Sequence, residues 1–359
     1  MPDVAAAHTS GAAHRCPACL STSKNRMLAV RENMFGLQAD FDYSVCADCG
    51  SLALISIPED MATYYPTNYY SVDLDPEKAL GAQGVRQFAQ VVIGSVLWGR
   101  GLVSSAATAV VPRRQLRTLV SVLRSIRRAG LVNGRQTRVL DVGCGSGMLV
   151  FALGLAGVKD VTGVDPFLSG ERDLSTGGRL RRQDLNEVEG SYDLIMFHHS
   201  FEHLPDPEAS LRAALGRLTP GGRVLIRMPT PSGKAFETYG AAWVQLDAPR
   251  HLVVFSRAGV DRLSERVGAT VVSVDDDSTG FQFWGSEQNL LGIPLMDRRS
   301  VMVKPRDAPF SKAQLQAWEK QAAALNSEGR GDQAAWVVEP TPTPTPTPTT
   351  STSTSPTVP

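Results

Sequence analysis

From residue 113 onward, hydrophobic and polar positions alternate between helical and strand-like periods. Leu116, Leu119, Val120, Leu123 and Ile126 recur at helical spacing, which predicts an amphipathic helix over residues 113–129. Val139, Leu140 and Val142 then form a short aliphatic run, the pattern of a buried parallel strand. Met148-Leu-Val-Phe-Ala-Leu opens an apolar helix directly afterwards. Further strands are predicted at Val161–Asp165, from Arg179 toward Asp184, at Tyr192–Phe197, Arg223–Met228 and Val271–Val274, with a last one at Asp332–Val338. Between them, Pro207–Leu218 and Arg257–Val267 read as helices, the second capped by Ser256 and stopped by Gly268. Residues 281–331 read as an insertion with a helix from about Ser311 to Leu325. Strands alternating with helices predict an α/β fold around a doubly wound sheet.

The N-terminal part has a different character. Residues 1–13 are small and polar and predict a mobile terminus. Cys16-Pro-Ala-Cys19 and Cys46-Ala-Asp-Cys49 follow, each placing two thiolates on one tight knuckle. Two such knuckles close a tetrahedral zinc site, so residues 14–57 predict a zinc ribbon whose metal holds the fold and does no chemistry. Phe41-Asp-Tyr-Ser-Val suits a strand entering the second knuckle. The first residues lack a basic stretch followed by a long apolar core, and paired C-x-x-C motifs favour metal over disulfides, which together predict a cytoplasmic protein.

Residues 58–133 read as a Tyr-rich loop and a helical lid or linker. Tyr64 to Ser71 spell YYPTNYYS, either a packed connection or an aromatic lip over the site. Residues 84–111 are strongly apolar, but Arg100 between Gly99 and Gly101 interrupts them, so a membrane span is not expected and membrane-surface contact is a secondary reading. From residue 339 the chain becomes Thr/Pro/Ser repeats, which predicts an extended, disordered tail.

Formal net charge is zero, with 36 basic and 36 acidic side chains, so no overall pull toward nucleic acid is expected. Locally, the helix at 113–129 carries Arg113, Arg114, Arg117, Arg124, Arg127 and Arg128 and no acid. That face is either simply solvated or a site for an anionic small-molecule substrate, since arginine forks match phosphate oxygens.

The chemistry concentrates at Arg138 to Gly147, RVLDVGCGSG. Strand, glycine turn and helix let backbone N–H groups approach a nucleotide. The spacing is G-x-G-x-G and not the G-x-G-x-x-G of dinucleotide folds, which disfavours a dehydrogenase. Asp141 at the strand end suits a cationic ligand better than a pyrophosphate. With Val161-Thr-Gly-Val-Asp165, this segment resembles the first two motifs of class I S-adenosylmethionine (SAM)-dependent methyltransferases. The resemblance covers roughly residues 134–338 and extends to methyltransferases that carry an N-terminal zinc ribbon, in the glycan- and natural-product branch.

The resemblance implies a Rossmann-like sheet whose last strand is antiparallel. It implies a SAM site at Asp141, Gly143, Gly145 and Gly147, with Asp165 on the ribose hydroxyls, Asp184 on the adenine amine, and His198 at the end of the fourth strand. His199, Glu202, His203, Asp206 and Pro207 fit the family's H-x-x-E-H-x-x-D-P motif, and Trp243 to Ser256 resembles a further family segment. Methyl transfer to oxygen needs a proton acceptor, for which His251 is the first candidate and His199 and His203 the others. His199, Glu202 and His203 also admit a metal-binding reading, although their spacing is not H-E-x-x-H and methyl transfer does not require a metal. The expected activity is O-methylation of a sugar, nucleotide-sugar or related small metabolite. Alternatives are a zinc-ribbon RNA methyltransferase, for which the N-P-P-[YF] run is missing, and a non-catalytic SAM-binding scaffold.

Overall fold

A computed structural model describes residues 15–66, 75–79, 83–99 and 114–342. The expected mobile terminus, Tyr69 and Tyr70 of the proposed lip, the second half of the apolar stretch, Arg113 and the repeats beyond residue 342 lie outside the described residues. Strands are numbered in chain order. The larger sheet has the order β11-β12-β9-β8-β4-β5-β7-β6. Its parallel centre comprises β4 (Arg138–Val142), β5 (Asp160–Val164), β7 (Arg179–Arg181), β8 (Tyr192–His198) and β9 (Leu218–Pro229). The closing strand β12 (Gln333–Pro340) runs antiparallel between β9 and β11 (Ala269–Asp276). A two-residue edge strand, β6 (Arg172–Asp173), pairs antiparallel with β7. This is a Rossmann-like α/β sheet whose last strand is antiparallel.

Both faces of the sheet are covered, which explains the near-continuous apolar runs of β4 and β8. On one face pack the helices Gln83–Trp98, Arg114–Ala129 and Met148–Leu155. Leu123, Ile126 and Ala129 are fully buried there, so the helix expected to serve as a linker shares the core of the sheet. On the other face lie Pro207–Leu215 and Arg257–Arg266, together with the cysteine end of the ribbon. The Pro207 helix ends at Leu215, three residues before the expected Leu218, and β9 begins at Leu218. Gly221, at φ +78°, keeps the expected turn as an irregularity inside that strand, where the register with β8 shifts.

The smaller sheet runs β1-β2-β3-β10. Strands β1 (Arg26–Arg31), β2 (Asp40–Val45) and β3 (Leu52–Leu54) belong to the ribbon, whereas β10 (Val253–Val254) belongs to the loop after β9. Ribbon and α/β domain therefore share a hydrogen-bonded sheet. Cys16 and Cys49 sulfurs lie 3.7 Å apart and Cys19 and Cys46 sulfurs 3.5 Å apart. Tetrahedral zinc with bonds near 2.3 Å needs sulfur separations of about 3.8 Å, so the four thiols fit zinc. The knuckles are clamped to the domain: Ser256 N–H donates to Ser51 Oγ at 3.0 Å, and Arg266 donates to the carbonyls of Ala18 and Pro17 at 2.6 and 3.2 Å.

The insertion carries helices Phe281–Leu290 and Lys312–Ser327. Leu295 and Met296 N–H groups donate to the carbonyls of Asn33 and Met34, which fixes the segment between those helices to the β1–β2 loop. Loss of a metal held by the four thiols is expected to be felt beyond the ribbon. Chelation should raise amide hydrogen exchange in β1–β3 and in Leu252 to Ser256 together, while β4 and β5 stay protected; mass-spectrometric exchange checks this.

Candidate cofactor and acceptor site

The carboxyl ends of β4, β5, β8 and β9 lie along one edge of the sheet, where open α/β folds bind ligands. That edge brings together Asp141, the glycine turn, Asp165 and His198 to His203. Gly143 has φ +72°, and a Cβ there would fall 2.5 Å from the Cβ of Ser200. Ser200 Oγ in turn donates to the Val142 carbonyl at 2.6 Å. The turn thus packs against the loop after β8 so closely that only glycine fits. A Cβ on Gly147, at φ +83°, would meet the Leu180 side chain at 2.7 Å. Gly145 N–H donates to Asp165 Oδ2 at 3.0 Å, and Phe167 N–H to its Oδ1 at 2.9 Å. Asp165 is therefore held at the mouth of the turn.

Asp141 is 2% exposed, and its Oδ1 has no partner among the described residues. Burial, then repulsion from Asp165, pushes its carboxyl up to about 7. An orphaned buried carboxylate oxygen beside a glycine cradle fits a ligand with an ammonium group, as SAM has. Asp184 is exposed and caps the short turn Leu185–Glu187, accepting from Asn186 N–H at 2.9 Å. His198 Nδ1 lies 3.4 Å from Arg227 Nη1, and burial with the charge of Arg227 holds its imidazole well below the usual range.

The loop after β8 builds the other half. His199, at φ +52°, places Nδ1 3.2 Å from Glu202 Oε1, while its Nε2 accepts from Arg227 Nη1 at 2.7 Å. Arginine can only donate, so His199 carries its proton on Nδ1 and gives it to Glu202. Both nitrogens are committed, which leaves His199 no lone pair for an acceptor. Arg227 is itself anchored by Asp277 Oδ2 at 2.6 Å, which also accepts from Ser121 Oγ at 3.0 Å. The basic helix thereby reaches the site through Ser121.

His203 donates Nδ1–H to the Arg250 carbonyl at 2.8 Å, and His251 donates Nδ1–H to the Gln245 carbonyl at 2.8 Å. Neither bond engages Nε2, which stays available on each ring. Their rings meet edge to face with centroids 4.8 Å apart. His203 is half-buried, whereas His251 is 6% exposed. Burial and the neighbouring His203 hold His251 down at about 4, against the opposing pull of Asp247 and Glu202. Glu202 is fully buried. Burial alone would raise its carboxyl, but the His199 hydrogen bond and the three surrounding imidazoles outweigh it and hold the group at about 2. Tyr65 Oη lies 3.3 Å from His203 Nδ1, so the described part of the Tyr-rich segment borders this half of the site.

Residues outside every expected set hold the His251 loop. Arg250 is fully buried; its guanidinium binds both Asp247 oxygens and Glu32 Oε1 at 2.9 Å, and donates to the Tyr64 carbonyl at 3.1 Å. Glu32 comes from the end of the ribbon sheet and also accepts the N–H groups of Met34, Phe35 and Leu37. Arg250 and Asp247 lie inside the Trp243–Ser256 segment that the sequence singles out, but Glu32 carries no local signal.

Residues 113–274 match the model of a methyltransferase domain. A ubiquinone biosynthesis O-methyltransferase of Bordetella avium is 34% identical over 135 residues, covering 34% of this chain and 55% of that protein. Its namesake from Acinetobacter baumannii is 33% identical over 141 residues, covering 34% and 56%. The chain spans about half the length of these relatives. A SAM-dependent methyltransferase structure from Archaeoglobus fulgidus aligns at 18% identity and a TM-score of 0.38, over 62% of this chain and 93% of that one. Among the described residues, no helix is long and apolar enough to cross a membrane.

If the orphaned Asp141 receives the cofactor's ammonium, cofactor binding should depend on pH. A free carboxyl at about 7 must lose its proton to receive an ammonium, so affinity for S-adenosylhomocysteine should fall about tenfold per pH unit below pH ~7 and level off above it. Asp141→Asn should remove that dependence and weaken binding about 10- to 100-fold at pH ~8, the worth of a charge-assisted hydrogen bond. Calorimetric titration across pH checks both.

Proposed function

We propose that this chain is a SAM-dependent methyltransferase that methylates a hydroxyl oxygen of a small molecule. The observation that carries this reading is the pairing of two half-sites on one sheet edge. Asp141 offers an unpartnered buried oxygen beside the glycine turn, and one loop away two imidazole lone pairs stand beside the buried Glu202. Gly143 and Ser200, in contact, join the two halves. Asp141, Gly143, Gly145, Gly147 and Asp165 would hold the cofactor, with Asp184 and His198 bordering it. The cofactor supplies an activated methyl group.

Methyl transfer is an in-line displacement, in which the sulfur–carbon bond breaks as an oxygen–carbon bond forms. The protein's work is to align the acceptor, exclude water and take up the hydroxyl proton. His199 is committed to Arg227 and Glu202, and the depressed His251 is a weak proton acceptor at neutral pH. The reachable lone pair is Nε2 of the half-buried His203, whose ring is oriented by the Arg250 carbonyl. This reading moves the acceptor contact from His251, the first candidate by sequence, to His203.

For the acceptor we favour a sugar, nucleotide-sugar or related metabolite, including one with an anionic group. The exposed Arg124 on the basic helix and the Ser121–Asp277–Arg227 link to His199 support it. Similarity to ubiquinone biosynthesis O-methyltransferases supports oxygen as the methylated atom. The zinc ribbon serves as a scaffold, and its four thiols fit structural zinc.

Transfer of radiolabelled methyl from SAM to a panel of phenols, sugars and nucleotide-sugars tests this. The wild type should label at least one class. Asp165→Ala should lose cofactor binding, and His203→Ala should keep it while kcat falls about 100-fold or more. A folded wild type that does not bind S-adenosylhomocysteine would overturn the reading.

A further inference from the structure

We infer that Glu202, His203 and His251 bind a first-row divalent transition-metal ion, a site separate from the four cysteines of the ribbon. One ligand atom from each of the three lies within 4.8 Å of the others, and Glu202 and His251 are buried. Sequence spacing alone grouped His199 with Glu202 and His203. The structure replaces it with His251, because Arg227 occupies His199 Nε2.

Three features fit a metal better than a hydrogen-bonded cluster. First, both imidazoles donate Nδ1–H to a backbone carbonyl, His203 to Arg250 and His251 to Gln245. Metal-binding histidines are oriented in this way, with the opposite nitrogen turned to the ion. Second, Glu202 Oε2 is buried with no partner among the described residues, while Oε1 is braced by His199 at 3.2 Å. A fully buried carboxylate with an open oxygen calls for a cation or a donor, and the two Nδ1 bonds leave Nε2 of each neighbouring ring free to ligate a metal ion beside it. Third, one carboxylate oxygen and two imidazole nitrogens converge within 4.8 Å, a donor set that suits a dication.

The donor set also indicates the class of ion. Nitrogen ligands select transition metals over magnesium and calcium, and three protein ligands leave positions open, unlike a closed four-thiolate site. Asp247 stays outside the set: its Oδ2 is 3.9 Å from His251 Nε2, but both its oxygens are bound by Arg250. The ion's role in catalysis rests on the methyl-transfer reading, whereas its binding does not. A bound dication would make the acceptor hydroxyl more acidic. With the ion bound, the His203 Nε2 lone pair would be a metal ligand and not the base, and the acidified hydroxyl would release its proton to solvent before methyl transfer.

The test is cobalt(II) titration of the full chain carrying one zinc per chain, followed by visible absorption. One further Co2+ should bind, with d–d bands and no added thiolate-to-metal charge transfer. His203→Ala and His251→Gln should each weaken Co2+ binding at least tenfold. If the buried His251→Gln variant does not fold, the half-exposed His203→Ala decides. No Co2+ beyond the ribbon, or unchanged binding in the folded variants, overturns the inference. S-adenosylhomocysteine titration of the same samples separates the two readings: intact cofactor binding without Co2+ sinks the metal alone, and lost cofactor binding in the folded wild type sinks methyl transfer alone.

Discussion

The acceptor half depends on one buried charge, the guanidinium of Arg250. It is fully enclosed between Asp247 of its own loop and Glu32 of the ribbon, over the ring of Phe35 at 5.5 Å. An isolated buried charge is costly, and removing one partner of such a pair costs about 3–5 kcal/mol. The loop that presents His251 and the Arg250 carbonyl is therefore tied to the ribbon through a buried ion pair. Because that carbonyl orients His203, the ribbon sets the geometry of both histidines without contacting either through its cysteines.

The cofactor half is built differently. Its residues lie at or next to the ends of adjacent parallel strands, so the ladder alone brings them together: Asp141 is paired with Gly163, and Val142 with Val164 and Phe197. The glycine turn and Ser200 then meet at a contact too close for any larger side chain. One half of the site follows from sheet register and the other from long-range ion pairing.

The same division explains what the sequence made legible. The glycine turn, Asp165, the parallel strands and the paired cysteines follow local rules of spacing and period. The His199–His203 cluster was visible as a motif, but its internal roles were not. That His199 is saturated depends on Arg227, which comes from a neighbouring strand, and on Asp277 beyond β11. Glu32 was invisible because a lone acid at a strand end looks like surface until Arg250 is placed against it. The amphipathic period of the helix Arg114–Ala129 is legible in the sequence, whereas its membership of the sheet core follows from burial of Leu123 and Ile126, which no helical period reveals.

The most direct test of this account is Glu32→Gln, with cofactor affinity and acceptor turnover measured on one preparation. Glu32 touches Arg250 of the acceptor half and no residue of the cofactor half, so S-adenosylhomocysteine affinity should stay within about twofold of wild type. Relaxation of the Arg250 loop should lower kcat/KM for the acceptor by about tenfold or more, the equivalent of ~1.4 kcal/mol. Acceptor turnover that is unchanged in a folded variant would contradict the claim that the ribbon holds the acceptor site.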